Sequence, residues 1–180
     1  MDYWQQRGME ELVREHGDCL YRFCCNISEN LFDAEDLFQE TFLRAIEKAD
    51  RVLDTEVPKN YLIGIAIRLD KNRRRKAARR KRITPDAHGF DRESEILDAV
   101  AADEKSIEDK LIEMEQIRII RENAKQMDHR NQIIAALYYG EGMKVREIAE
   151  MVRLPQGTVK SRLSRIRKQL RKGLEGDFDE

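Results

Sequence analysis

The segment "VRLPQGTVKSRLSRIRKQLRK", Val152 to Lys172, carries seven Lys or Arg and no acid from Thr158 onward, in a chain of 180 residues whose formal net charge is −1. Cations at that density suit phosphate chemistry, and serines among them add hydroxyls that can read base edges. Val159, Leu163, Ile166 and Leu170 are spaced 4, 3 and 4, so a helix wound at about 100° per residue gathers them within about 60°. Ser161, Ser164, Arg165, Lys168 and Lys172 then fall on the opposite side. Lys160 and Arg171 stand at right angles to the core, and Arg162 and Arg167 flank its edges. The DNA-contacting set expected from this wheel is Lys160, Ser161, Arg162, Ser164, Arg165 and Lys168. Base readout falls to Lys160, Ser161, Ser164 and Arg165, while the flanking arginines serve phosphates or neighbouring helices.

The element before this helix must hold it in place. In "MKVREIAEMV", Val145, Ile148, Ala149 and Val152 line one face of a short helix. Arg153 to Pro155 break it, and Pro155 suits the first turn of the next helix, where its missing N–H costs nothing. Two short helices so separated are a helix-turn-helix. A basic face that is merely solvated usually interleaves acids to gain i,i+4 pairs, and none occurs here.

The near-zero total charge conceals unlike parts. Residues 1–82 carry a net charge of +2, residues 83–115 carry −8 and residues 116–180 carry +5. Helix formers dominate, the three prolines stand at 58, 85 and 155, and no segment alternates as a strand would. The expected fold is all-α: two small helical domains, 1–82 and 107–180, joined by a flexible acidic linker at 83–106, the second domain containing the helix-turn-helix. A first helix is expected over about Gln5–Ile27. A second is announced by "DAEDLFQETFLRAIEKA", with Asp33 as N-cap and a core stripe of Ala34, Leu37, Phe38, Thr41, Ala45 and Ile46. A loop from Arg51 to Lys59 precedes a helix from Tyr61 to Arg82. That helix is apolar through Leu69, then holds ten basic residues and one acid, Asp70, between Arg68 and Arg82.

Other chemistries find little support. No run is long and apolar enough to span a bilayer, and the amino terminus lacks the order of a signal peptide, so a cytoplasmic protein is expected. Cys19, Cys24 and Cys25 are read as ordinary thiols, because no matching Cys or His pair has a zinc-like spacing. His16, His88 and His129 are scattered. With no Gly-rich phosphate loop, metal-ligand cluster or cofactor motif, neither enzymatic activity nor a cofactor is expected. A dimeric helix-turn-helix regulator would need a dimer interface. A DNA recombinase would need a nucleophilic Ser or Tyr amid clustered arginines on a strand-rich domain.

Three blocks taken together decide among these. "EIAEMVRLPQGTVKSRLSRIRKQL" closely resembles the fourth region of bacterial RNA polymerase sigma factors of the extracytoplasmic-function (ECF) group. "DAEDLFQETFLRAI" resembles the polymerase-binding part of their second region, and "NYLIGIAIRLDKNRRRK" its promoter-melting part. The blocks stand in the family's order, across about residues 10–82 and 107–174. The resemblance implies a non-catalytic initiation factor that binds core RNA polymerase, melts the minus-ten element with its first domain and reads the minus-thirty-five element with its second. It carries polymerase contact to Asp33, Glu35, Asp36, Leu37, Gln39, Glu40 and Phe42, and minus-ten contact to Tyr61, Arg68, Lys71, Arg73, Arg74 and Arg75. Tyr61 replaces the Trp that often begins the melting helix, and Arg68 follows Ile67 where Asn is common; a Tyr can still stack on an unpaired base. The resemblance further implies an acidic linker that runs through polymerase channels, and an anti-sigma factor as a common partner.

Overall fold

The computed structural model describes residues 3–83, 122–124 and 126–176. Except for Ile83, the linker expected at 83–106 lies outside the described residues, as does the start of the second domain at 107. The chain divides into two compact units, Met1–Ile96 and Leu97–Glu180. Every regular element among the described residues is helical.

In the first unit α1 spans Tyr3–Ile27, α2 Leu31–Ile46, α3 Ala49–Leu53 and α4 Pro58–Ile83. α1, α2 and α4 pack on one another, and α3 bridges α1 and α4. Their meeting faces bury Leu20, Phe23, Ile27, Leu37, Val52, Leu62 and Ile63, while Ala34, Ala45 and Ala66 are buried where backbones approach. Burying such side chains removes about 1.5–3 kcal/mol of apolar hydration cost each, which orders helices of modest intrinsic propensity. Thr41 is buried within this contact because its hydroxyl donates to the Leu37 carbonyl at 2.7 Å, leaving no orphaned polar group.

The helix starts differ from expectation by a few residues. Asn30, rather than Asp33, caps α2: its Oδ1 accepts from the Asp33 N–H at 2.9 Å and its Nδ2 donates to the Asp33 carboxylate at 2.9 Å. An Asn followed three residues later by Asp closes a reciprocal cap that neither residue makes alone. Pro58 fills the first position of α4, so the helix begins before Tyr61 and takes in Lys59. The segment expected as loop from Arg51 to Lys59 is therefore mostly the end of α3, a short turn and the start of α4. α3 is little more than one turn, anchored by the buried Ala49 and Val52 and too short to leave a periodic trace. Gly8 on α1 admits Leu53, whose methyls stand 3.0 Å from where a Cβ would be.

In the second unit α5, His129–Ala135, runs on into a π turn, Ala136–Gly140; α6 spans Val145–Val152 and α7 Gln156–Gly176. Asp128 caps α5 by accepting from the Asn131 N–H at 3.0 Å. Ile133, Ile134, Leu137, Met143, Ile148, Ala149, Val159, Leu163 and Ile166 form the core, with Leu170, Val145 and Val152 half-buried at its edge. α6 ends on Arg153 in the left-handed region (φ 55°, ψ 53°), and the Leu154 N–H reaches back to the Ala149 carbonyl at 3.0 Å. This is the six-to-one closure that reverses a chain at a helix end. Pro155 is the capping residue of α7 rather than part of its first turn, its carbonyl accepting from Val159 at 3.1 Å.

Candidate DNA and polymerase interfaces

On α7 the core-facing quartet leaves Lys160, Ser161, Ser164, Arg165 and Lys168 exposed. The Ser161 hydroxyl donates to the Thr158 carbonyl at 2.9 Å, so toward a base it is left to act as an acceptor. Of the two uses expected of a flanking arginine, phosphates or a neighbouring helix, Arg162 shows the second. It is half-buried and its guanidinium donates to Asn131 Oδ1 at 2.7 Å and reaches Asp128 Oδ2 at 3.5 Å, fastening α7 to the start of α5. The sequence wheel put Arg162 at the edge of the core, and the side of that edge held by α5 turned it inward.

α4 sorts its cations in the same way. Arg68, Lys71, Arg75 and Arg79 are exposed and recur at spacings of 3 and 4, forming one basic stripe. Arg73 and Arg74 lie off that stripe and are already engaged. The Arg73 guanidinium donates twice to Glu40 Oε2, from Nε at 3.1 Å and Nη2 at 2.8 Å, and once to the Asp33 carbonyl at 3.4 Å, tying α4 to α2. Arg74 donates to Asp70 and Glu29, each at 3.2 Å, and to the Ile27 carbonyl at 3.2 Å, closing the exposed end of α1. Both had been expected to hold phosphates; the side of α4 that carries them faces α1 and α2, and acids and carbonyls there reach them first. Asp70, the one acid in the basic half, is buried opposite Arg74. An i,i+4 Asp–Arg pair was the signal in the sequence. Tyr61 is half-buried near the start of the same helix.

α2 presents a mixed face. Glu35, Asp36 and Gln39 are exposed as expected, whereas Asp33 and Glu40 are half-buried and hold Asn30 and Arg73. Leu37 and Phe42 are core residues, at 1% and 8% exposure, and neither is open to a partner. Phe38 is half-buried, edge-on to Tyr21 and Phe42 with ring centroids 5.5 and 5.0 Å away. The apolar side chains that α2 does expose are Phe32 at 63%, Leu43 at 61% and Ile46 at 41%. Ile46 was expected in the core stripe; with α2 ending there, it turns outward. Phe32, Asp36, Gln39 and Leu43 are spaced 4, 3 and 4 on the side away from Ala34, Leu37, Thr41 and Ala45. That spacing was the available sign that two large apolar residues lie outside the core.

Burial raises the Cys24 thiol well above its ordinary range, with Cys25 beside it adding to the shift. Among the described residues Cys19, Cys24 and Cys25 form no disulfide. No described helix is long and apolar enough to cross a membrane.

A basic recognition helix in a helix-turn-helix, a second basic stripe on a separate helical unit, and an acidic-apolar helix beside that stripe define a class. Residues 12–80 match the sigma-70 region 2 family, and residues 126–170 match sigma-70 region 4. The chain is 27% identical to the ECF RNA polymerase sigma factor SigW of Bacillus subtilis, over 94% of this chain and 90% of that protein. It is 30% identical to the ECF sigma factor SigL of Mycobacterium tuberculosis, over 93% of this chain and 89% of that protein. Its fold is similar to that of the sigma factor RpoE of Bartonella quintana, solved in complex with the anti-sigma factor NepR: TM-score 0.72 at 20% identity, covering 92% of this chain and 96% of that one. The chain belongs to the ECF group of RNA polymerase sigma factors. It binds core RNA polymerase and directs promoter-specific initiation, region 4 reading the minus-thirty-five element and region 2 melting the minus-ten element.

Proposed function

We propose the following division of that work among residues. Lys160, Ser161, Ser164, Arg165 and Lys168 of α7 meet the minus-thirty-five element in the major groove, the first four at base edges. Arg68, Lys71 and Arg75 hold the phosphates of the melted segment, and Tyr61 stacks on an unpaired base. Core polymerase docks on the exposed face of α2, where Glu35, Asp36 and Gln39 orient it and Phe32 and Leu43 are buried against it. Leu37, Phe42, Asp33, Glu40, Arg73, Arg74 and Arg162 serve the frame. The observation that carries this reading is the segregation on α7: four apolar residues inward, and outward only cations and small hydroxyls.

The domains run over 1–82 and 107–180, with the acidic stretch 83–106 between them as a tether that DNA does not occupy. The chain acts in the cytoplasm, has no catalytic activity of its own, and takes an anti-sigma factor as a partner, as the solved relative does in its complex. The test is run-off transcription by core polymerase on a cognate promoter, with and without this chain. Core enzyme should initiate only with it, Arg165→Ala should lose discrimination between cognate and altered minus-thirty-five elements, and Phe32→Ala/Leu43→Ala should lose core binding. Binding of palindromic duplex DNA as a dimer, with no capture of core enzyme, would sink this reading.

A further inference from the structure

Among the described residues, Ala66 is the last buried apolar residue of α4, yet the helix runs on to Ile83 and carries the exposed Arg68, Lys71, Arg75 and Arg79 along that second half. Apolar packing therefore fixes only the first half of α4. Beyond it the seam with the start of α2 is loosely filled: a cleft of about 170 Å³ lies there, lined in part by Ser28, Asp33, Leu37 and Ala77. Arg73 and Arg74 line the same cleft and cross the seam by hydrogen bonds.

The two crossings lead to different places. Arg74 reaches the end of α1 at the Ile27 carbonyl and Glu29 just beyond it. Arg73 reaches α2, where Glu40 Oε2 accepts from Nε at 3.1 Å and from Nη2 at 2.8 Å, and the Asp33 carbonyl accepts from Nη1 at 3.4 Å. One guanidinium thus holds α2 at two points. A carboxylate–guanidinium contact is directional and stronger than a neutral hydrogen bond, although side chains 33% and 36% exposed are partly screened by water. Its position matters more than its strength. Glu40 follows Gln39 directly and stands one helical turn from Asp36 and Leu43, at the border of the exposed face of α2, while Arg73 stands between Lys71 and Arg75 at the border of the basic stripe. The bond joins the edges of the two faces.

We propose that Glu40 and Arg73 are positioning residues for promoter melting: their bond holds the basic half of α4 in register with α2, so that polymerase docked on α2 meets the strand to be opened with Arg68, Lys71 and Arg75 already in place. The inference rests on the reading of α2 as the docking helix and of the α4 stripe as the strand-holding one. Glu40 acts through Arg73 and touches neither partner. Without the bond the stripe keeps its charge and still attracts DNA, but loses the fixed geometry that lets several contacts form together.

Holoenzyme assembled from core polymerase and the full chain carrying Glu40→Gln, Arg73→Gln or both tests this, with 2-aminopurine in the minus-ten element of a cognate promoter reporting strand opening. Each single variant should lower opening about tenfold, as expected for one partly screened charge-assisted bond. The double variant should cost no more than either single one, because the same bond is broken once. Core affinity, from anisotropy of labelled protein, should stay within about twofold of the parent. The slope of log affinity for promoter DNA against log salt should also be unchanged in Arg73→Gln, since that cation holds no phosphate. On a template mismatched across the minus-ten element every variant should initiate like the parent, because the strands are already apart. Urea unfolding of the free chains checks that each variant is folded. Parental opening in Glu40→Gln overturns the proposal, as do additive losses in the double variant. Weakened core capture by Glu40→Gln overturns it by making Glu40 a polymerase contact, and a slope lowered by about 0.9 in Arg73→Gln does so by making Arg73 a phosphate contact. Phe32→Ala/Leu43→Ala separates the two levels: if that variant captures core like the parent, the docking face has been misplaced rather than the brace alone.

Discussion

Arg74 and Arg75 are neighbours on α4 with the same chemistry, yet the structure gives them opposite surroundings, and substituting each in turn should produce opposite results. Arg74 is half-buried, with donors on Asp70, Glu29 and the Ile27 carbonyl, each at 3.2 Å. Replacing it with Ala strands the buried Asp70 carboxylate without its guanidinium and opens the Ile27 carbonyl. Breaking a fully buried pair costs about 3–5 kcal/mol. Here the Arg74 side chain is 34% exposed and Asp70 keeps a further interaction, so roughly 2 kcal/mol is expected. Arg75 is exposed, and Arg75→Ala should change stability by no more than about 0.5 kcal/mol. Its cost should appear instead in DNA binding, as a salt slope lowered by about 0.9 for one phosphate. Stability is read by urea unfolding of the full chain through Trp4, the one tryptophan, which lies in α1 of the same unit. The salt slope is read by titrating holoenzyme with promoter DNA. If Arg74→Ala were as stable as the parent and lost the same slope as Arg75→Ala, the division of α4 into an inward and an outward basic side would be wrong.

Leu37→Ala should cost about 2–5 kcal/mol in unfolding because it opens a cavity among α1, α2 and α4, whereas Leu43→Ala should leave the urea midpoint in place and weaken core-polymerase capture about tenfold or more, measured by anisotropy of labelled protein. The Cys24 thiol is held protonated in the fold while the unfolded thiol ionises near its ordinary value, so the unfolded chain binds fewer protons above about pH 8.5. Stability should therefore fall as pH rises past that point, and Cys24→Ala should remove that part of the pH dependence in urea titrations. Arg153 is the one non-glycine residue with positive φ among the described residues. Arg153→Gly relieves the left-handed strain and should raise the melting temperature of the second unit, by an amount equivalent to about 1 kcal/mol; an unchanged or lower melting temperature would show that the Arg153 side chain contributes more than its backbone costs.

The helix-turn-helix was legible because its signals are local. Four apolar residues at 4, 3 and 4, a proline at a helix start and an acid-free basic run each report on a few neighbouring positions, and the exposed basic strip on α7 follows from helical winding alone. The acidic face of α2 was legible for the same reason, although the cap was misplaced by one turn: Asn30 and Asp33 each look like a cap singly, and only their reciprocal bond assigns the roles. Periodicity finds the amphipathic axis of a helix but not which neighbour covers each edge of it.

That coverage is what tertiary structure decided. Arg162, Arg73 and Arg74 are the same residue type as Arg165, Arg68 and Arg75, and charge counting cannot separate them; each was turned inward because an acid or a carbonyl on a helix distant in sequence stood within reach. Leu37 kept its place in the core and Phe42 joined it, while Phe32 and Leu43 stayed exposed, because α2 meets α1 and α4 on one side only, and the side is set by the packing of three helices together. α3 formed from a single turn because Ala49 and Val52 found a core to enter. The sequence by itself determined an all-helical chain with a DNA-reading helix near its end, since local winding and local charge carry that information. Which cations stay exposed and which brace the frame depends on contacts between residues 31 to 47 positions apart, and of these arginine contacts only the i,i+4 pair Asp70–Arg74 is written in a local pattern.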